Sequence, residues 1–396
     1  MSTSNIIGPE VIECSENYQH KHEWPPGIGQ GGWKERKGRD QKTYFEKICA
    51  TEFIGKGGFG EVFKGHRTRL ERDGKRVKCG SECFAIKVLK YKVKDAEESS
   101  RASNNNHSKR THSNSVIRAS NNRINRECDV HVRLKGENAV VRPILVLKVE
   151  TNPRVAILGM EYCPGGDLGN YLKKNELEFT DAIAKRVTIQ VVSGLKALKN
   201  IGYFHRDVKA SNIFVTSNGK NDQFNCKLGD LGFVAKIDQN NNEECGTRTA
   251  MAPEMDGRNP YDEQVDIWSL GIMLFTLKLG QNPFGLEGNT NTKERRDLSS
   301  QPLKFPSNVS GAWKDLIQKM LSVNPSRRIR LEKIDKLPFF KQEHQYDSAF
   351  GSDTSRQTNT TTTTGGYPKI RAPLGPLERG FSSYQSQFNQ PSHVYR

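Results

Sequence analysis

The eight residues from His205 to Asn212, "HRDVKASN", hold an aspartate with a cation two positions on and a carboxamide five positions on. A charged loop between helices would leave that spacing without a reason. Asp207 can accept the proton of an attacking hydroxyl, Lys209 can neutralise a phosphoryl group in transit, and Asn212 can ligate a divalent cation. A second carboxylate, Asp230 in "CKLGDLGF", stands at a strand end beside a glycine, which suits a second Mg²⁺ ligand.

Nearer the N-terminus, "IGKGGFGEVFKG" carries Gly55, Gly57 and Gly60 at G-x-G-x-x-G spacing. Ordinary turns share this spacing, and in a dinucleotide-binding fold the last glycine opens a helix. Here "EVFKG" continues as a strand, so the loop reads as a hairpin tip laid over phosphates. Backbone without side chains can bring its N–H groups against anionic oxygens. Val62 would then lie in the strand under a flat apolar base. One hairpin later "FAIK" ends in Lys87. A lysine there is commonly a solvated edge residue, yet its place after the glycine loop suits a cation bound to α- and β-phosphates.

Two kinds of element must position these groups. From Phe45 to Glu161 apolar residues alternate in short runs such as "CFAIKVLK" and "RVAILGMEY", the period of strands. From Asp181 the spacing becomes helical, as in "AIAKRVTIQVVSGLKALKNIG". A small sheet-rich lobe is expected before a larger helical one. Residues 1–43 read as a flexible arm and 343–396, with "TNTTTTTGG", as a disordered tail. The nearly all-polar stretch at about 94–122 reads as a surface insertion.

The 61 Lys and Arg exceed the 45 Asp and Glu, for a formal net charge of +16. Basic tails and loops account for it more simply than a nucleic-acid partner, because the basic insertion lacks interleaved aromatics. No window reaches the roughly 20 apolar residues of a bilayer span. The start of the chain shows no basic segment leading into an apolar one. The eight cysteines are scattered, and "CGSEC" has neither zinc spacing nor nearby His. Reduced thiols in a cytoplasmic or nuclear setting are expected.

With the glycine loop, Lys87, "HRDVKASN" and "GDLG" in this order, the sequence resembles the eukaryotic protein kinase family over about 45–340. "MAPEM" and "VDIWSLG" strengthen the resemblance. It implies an α+β two-lobed fold over 44–342, with an antiparallel sheet and one main helix in 44–162 and a mainly helical lobe in 163–342. It implies ATP and Mg²⁺ as cofactors and protein substrates as partners. Ile54, Gly55, Lys56, Gly57, Gly58, Phe59, Gly60, Val62 and Ala85 would surround the nucleotide. Glu161 and Cys163 would meet the adenine edge through their backbones, which is compatible with an ordinary turn at Pro164, Gly165 and Gly166, and Asp167 would meet the ribose.

Several roles are implied by the resemblance alone. The helix Glu that holds the strand Lys is assigned to Glu127 in "NRECDVHVRL", beyond the insertion, and His131 one turn later is expected neutral and packed. Asp266 would anchor the catalytic loop, and Arg328 would pair with Glu254. Lys209 with Thr247 accompanies serine/threonine specificity, and direct transfer without a covalent enzyme intermediate follows. Arg206 usually binds a phosphate on the activation segment, but between Asp230 and Gly246 there is no Ser, Thr or Tyr. Glu243, helped by Glu244, is expected either to replace that phosphate or to lie solvated on a loose loop. Ala250 departs from the aromatic residue that relatives commonly carry.

Overall fold

The computed structural model describes residues 12–14, 34–37, 43–57, 60–70, 76–92, 107–149, 154–216 and 223–341. Strands β1 (Ile12–Cys14), β2 (Lys34–Lys37), β3 (Thr43–Gly57), β4 (Gly60–Leu70) and β5 (Arg76–Lys90) precede helix α1 (His107–Arg133). Strands β6 (Pro143–Val149) and β7 (Val155–Glu161) complete a sheet of order β1-β3-β4-β5-β7-β6, with β2 also on β3. Every pairing is antiparallel except β1 with β3, which is parallel.

Alternation along β5 explains how this sheet is held. Phe84, Ile86 and Val88 point to one face and pack with Phe63, Leu145 and Ile157. Leu89 points to the other, joining Ile124 and Cys128 of α1 and Leu158 of β7. Lys87 shares the face of Leu89, so the packing of α1 against this face decides what Lys87 can meet.

The structure adds detail to two expectations about domain limits. The arm expected over 1–43 contributes β1 and β2, because the long β3 offers an edge whose N–H and C=O groups a passing chain can satisfy. The insertion expected over about 94–122 is helical from 107 onward, continuous with the helix that carries Glu127. Polar composition does not prevent this, since the helix is docked by specific bonds. The Asn121 side chain both accepts from Lys92 N (2.9 Å) and donates to Lys92 O (3.0 Å), and Tyr91 Oη donates to Asn125 Oδ1 (2.7 Å). The remainder of the insertion, most of the arm and the tail lie outside the described residues.

The second lobe holds β8 (Gly166–Asp167), α2 (Leu168–Lys174), α3 (Asp181–Asn200), β9 (Tyr203–Phe204), β10 (Ile213–Val215), β11 (Cys226–Leu228), β12 (Ala235–Lys236), α4 (Gln264–Leu279), α5 (Thr292–Ser299), α6 (Gly311–Met320) and α7 (Pro338–Lys341). On α3, Ile183, Val187, Val191, Leu195 and Leu198 form a buried stripe at helical spacing, and Thr180 caps its N-terminus by accepting from Ile183 N. Helix α4 is buried on all sides from Gln264 to Phe275 and ends at Gly280 with φ 70°. Among the described residues no helix is long and apolar enough to cross a membrane.

Candidate active site

Strands β9 and β10 bracket the catalytic loop, and α4 fixes it from below. The Asp266 carboxylate accepts from the backbone N–H groups of His205 (2.6 Å) and Arg206 (2.7 Å). These bonds hold Arg206 at φ 70°, a left-handed conformation costly for a residue with a Cβ. Burial raises the Asp266 carboxyl above its ordinary value, against the pull of His205 and Arg206.

Asp207 lies at the centre of a closed set of bonds. Its Oδ1 accepts from Thr247 Oγ1 (2.7 Å) and its Oδ2 from Lys209 Nζ (2.9 Å), while Lys209 Nζ also donates to Thr247 Oγ1 (2.8 Å). Asn212 Nδ2 donates to Asp207 O (2.8 Å) and Oδ2 (3.0 Å). With its amide nitrogen so engaged, Asn212 keeps its carbonyl oxygen as a hard donor for a cation. Gly229 N donates to Asn212 O (2.8 Å), which sets the next residue, Asp230, beside it. Side-chain oxygens of Asn212 and Asp230 therefore fit Mg²⁺, which takes one or two protein oxygens and fills its remaining positions with phosphate and water.

Lys87 Nζ bonds both Glu127 Oε1 (2.7 Å) and Asp230 Oδ1 (2.8 Å), so three elements converge on one buried ammonium. Burial alone would lower the Lys87 pKa, but the two carboxylates outweigh it and the value rises. Burial would likewise raise Asp230, yet Lys87, with Lys209 and His205 behind it, brings its carboxyl down to about 2. Glu127 and Lys87 are 40 residues apart, with the extended α1 between them.

Further contacts seat α1. His131 is buried, its Nδ1–H donating to Glu127 O (2.8 Å), and burial lowers its pKa. Leu231 packs in one cluster with Val130 and Leu134, filling with an aliphatic side chain the place after Asp230. Two residues that sequence reasoning missed act here. Arg126 donates to Val234 O (3.0 Å), and the Arg123 guanidinium lies 4.9 Å from the centre of the Phe233 ring. Their spacing, one and four residues before Glu127, was the available signal.

Around the cleft, Gly55 pairs with Val62, Val62 with Lys87, and Ala85 with Met160 across neighbouring strands. Directly opposed residues share a face, so Val62, Ala85, Lys87 and Met160 line one side. Ile54 is exposed, Gly57 pairs with Gly60 at the loop, and Lys56 lies 3.6 Å from Glu61. A Cβ on Gly60 would stand 2.1 Å from Val88 O, so this glycine lets β4 pass β5, whereas Gly55 faces open space. Gly58 and Phe59 lie outside the described residues. Cys163 is buried, and Asp167 caps α2 by accepting from Asn170 N (3.0 Å) and Nδ2 (2.7 Å). Glu161 has a side-chain role that sequence reasoning missed: it accepts from Arg142 N (2.7 Å) and Lys227 Nζ (2.6 Å).

The stretch that the resemblance implies as activation segment runs from Asp230 to Glu254. Arg206 Nε donates to Phe233 O (2.6 Å), and its Nη1 reaches Tyr261 Oη (3.1 Å) and Glu243 Oε2 (3.3 Å). Tyr261 Oη donates in turn to Glu243 O (2.6 Å), a role with no signal in sequence because the residues are far apart. Nη2 of Arg206 is buried without a hydrogen-bond partner among the described residues. Glu244 does not help Glu243 at Arg206, as was expected. It turns to α5, where Thr292 Oγ1 (2.6 Å) and the buried Arg295 Nη2 (3.1 Å) donate to it and the guanidinium supplies the counter-charge.

Gly246 (φ 92°) presses on the catalytic loop, where a Cβ would stand 2.4 Å from Arg206 O. Ala250 is buried, and its carbonyl accepts from Ser269 Oγ (2.8 Å). At the far end, Glu254 receives both Arg328 Nη1 (2.6 Å) and Nη2 (3.0 Å).

A family model described as the protein kinase domain matches residues 49–340. The serine/threonine-protein kinase PLK4 of Aedes aegypti is 28% identical over 308 residues, covering 76% of this chain and 34% of that protein. Its counterpart from Drosophila persimilis is 26% identical over 365 residues, 90% of this chain and 40% of the relative. The serine/threonine-protein kinase ATG1b of Arabidopsis thaliana is 33% identical over 217 residues, 53% and 30% respectively. The chain thus spans about a third of the length of the curated relatives it matches.

Proposed function

This chain belongs to the protein kinase family, and we propose that it transfers the γ-phosphate of ATP directly to serine and threonine hydroxyls of proteins. The observation that carries the reading is the ring of bonds joining Asp207, Lys209 and Thr247. Asp207 takes the proton as the substrate Oγ forms its bond to phosphorus and the bond to the leaving ADP breaks. Lys209 balances charge on the transferred group, and Lys87, held by Glu127, positions the α- and β-phosphates. Asp230 and Asn212 would hold Mg²⁺, which when bound neutralises phosphate charge.

The test is transfer of labelled γ-phosphate to a peptide library. Label on Ser and Thr, reduced about 10²–10⁴-fold in Asp207→Asn, is the expected result. A chain that binds ATP but transfers nothing, with Asp207→Asn indistinguishable, would mark a scaffold instead. Strong selection of Arg before the target is not expected: the resemblance implies an acid in Arg-directed relatives at the place of Ser211 and another in the helix near Thr276, and this chain has neither at those two residues.

The segment is further proposed to work without its own phosphorylation, Glu243 standing in for a phosphate at Arg206. Support comes from the 3.3 Å approach, and the buried unpartnered Nη2 fits a carboxylate that offers fewer oxygens and less charge than a phosphoester. Enzyme purified from bacteria and treated with phosphatase should keep most of its activity. Collapse of kcat after phosphatase, or an unchanged kcat/KM in Glu243→Ala, would overturn this part alone.

A further inference from the structure

Arg295, on the inner side of α5, is buried although it carries a full charge. Three of its bonds reach three separate points of the substrate-binding end of the activation segment. Nη2 donates to Glu244 Oε1 (3.1 Å), just before Gly246, and to Met255 O (2.7 Å), just after Glu254. Nη1 meets Met251 Sδ (3.0 Å), between them. Thr292, one turn earlier on the same helix, donates to the same Glu244 oxygen (2.6 Å). Asn291 caps α5 with a full capping box, so both donors project from a firmly started helix.

Charge decides which of these contacts matters most. A guanidinium out of water needs a counter-charge, and burial already lowers the Arg295 pKa, with Glu244 opposing that shift most strongly. The other acid nearby, Asp256, is engaged with Arg296 (3.6 Å) and Arg258 (3.9 Å). Glu244 is 25% exposed and Arg295 4%, whereas Glu243 is 55% exposed at its longer contact with Arg206. Adjacent acids therefore serve different purposes, and the drier pair lies on the substrate side.

We propose that Arg295 is a positioning residue for peptide substrate, acting through Glu244 to hold residues 244–255 in the shape that receives the chain around the target hydroxyl. It does not touch the reacting atoms. The proposal rests on the phosphotransfer reading and is independent of whether Glu243 replaces a phosphate.

The test measures KM for peptide, KM for ATP and peptide-independent ATP hydrolysis in Glu244→Gln, Arg295→Met, their double variant and Thr292→Val. Glu244→Gln and Arg295→Met should each raise the peptide KM about tenfold while the KM for ATP and the hydrolysis rate stay within about twofold, because tenfold corresponds to losing one well-placed contact. The double variant should lose no more than the worse single, and Thr292→Val should lose less than either. Should Arg295→Met fail to fold, Glu244→Gln and Thr292→Val, altered on the wetter side of the contact, carry the test. Multiplying losses in the double variant, or losses falling equally on ATP and peptide, would overturn the proposal. Failure of the phosphotransfer reading would show differently, as no transfer by the unaltered chain.

Discussion

Two arginines grip one segment, one midway along it and one at its end, and they do so in opposite styles. Arg328 and Glu254 form a two-pronged pair with side-chain exposures of 0% and 17%. Arg206, as deeply buried at 1%, meets a Glu243 that is 55% exposed, through one nitrogen at 3.3 Å. The first pair is dry, short and geometrically complete, so its strength depends little on solvent. The second has a dry cation and a wet anion, so water and salt compete for it. The segment is thus clamped where it joins the helical body, and beside the catalytic loop the Thr247 bonds are short while the Glu243 contact is the wet one.

Breaking the dry end should have the largest effect. Arg328→Met strands Glu254 and is expected to destabilise the fold by about 3–5 kcal/mol, read as a lower urea midpoint with an unchanged slope. Next comes the buried region around Lys87. Burial depresses the His131 pKa below its ordinary 6.5. The unfolded chain therefore takes up the proton first, and stability present above pH 6.5 is lost as pH falls toward the folded value. Each unit of depression corresponds to about 1.4 kcal/mol. His131→Leu should flatten the fall in melting temperature between pH 6.5 and 5.5, and an unchanged profile would assign that fall to other groups. Glu243→Gln should cost no more than about 1 kcal/mol, since exposed pairs contribute little. Smallest is the salt effect: raising salt from 0.05 to about 0.5 M should lower kcat/KM of the unaltered chain more than that of Glu243→Gln, if the wet pair is what salt weakens.

What could be read in sequence follows the same division. Asp207, Lys209, Asn212 and Asp230 sit on short segments whose spacing reflects one local geometry, so the motif carried the site. Glu127 was reachable because a helix frame survives an insertion. The strands at 12–14 and 34–37 were not legible, as pairing to the edge of β3 is a tertiary event that leaves no required pattern in a polar arm. Nor were Tyr261 and Arg295: one joins Glu243 across 18 positions and the other Glu244 across 51, and nothing local marks either. The divergence of Glu243 and Glu244 is simple in the folded chain but invisible in the string "EE", because facing depends on backbone the sequence does not display.

Glu161 invites a mechanical reading. Through Arg142 N it is bound to the approach to the sheet, and through Lys227 to the short strand that ends just before Asp230. Rotation of the sheet against the helical body must therefore stretch this bond or drag Lys227 with it. A single carboxylate thus acts as a tether across the pivot, joining the sheet to the strand that leads into Asp230.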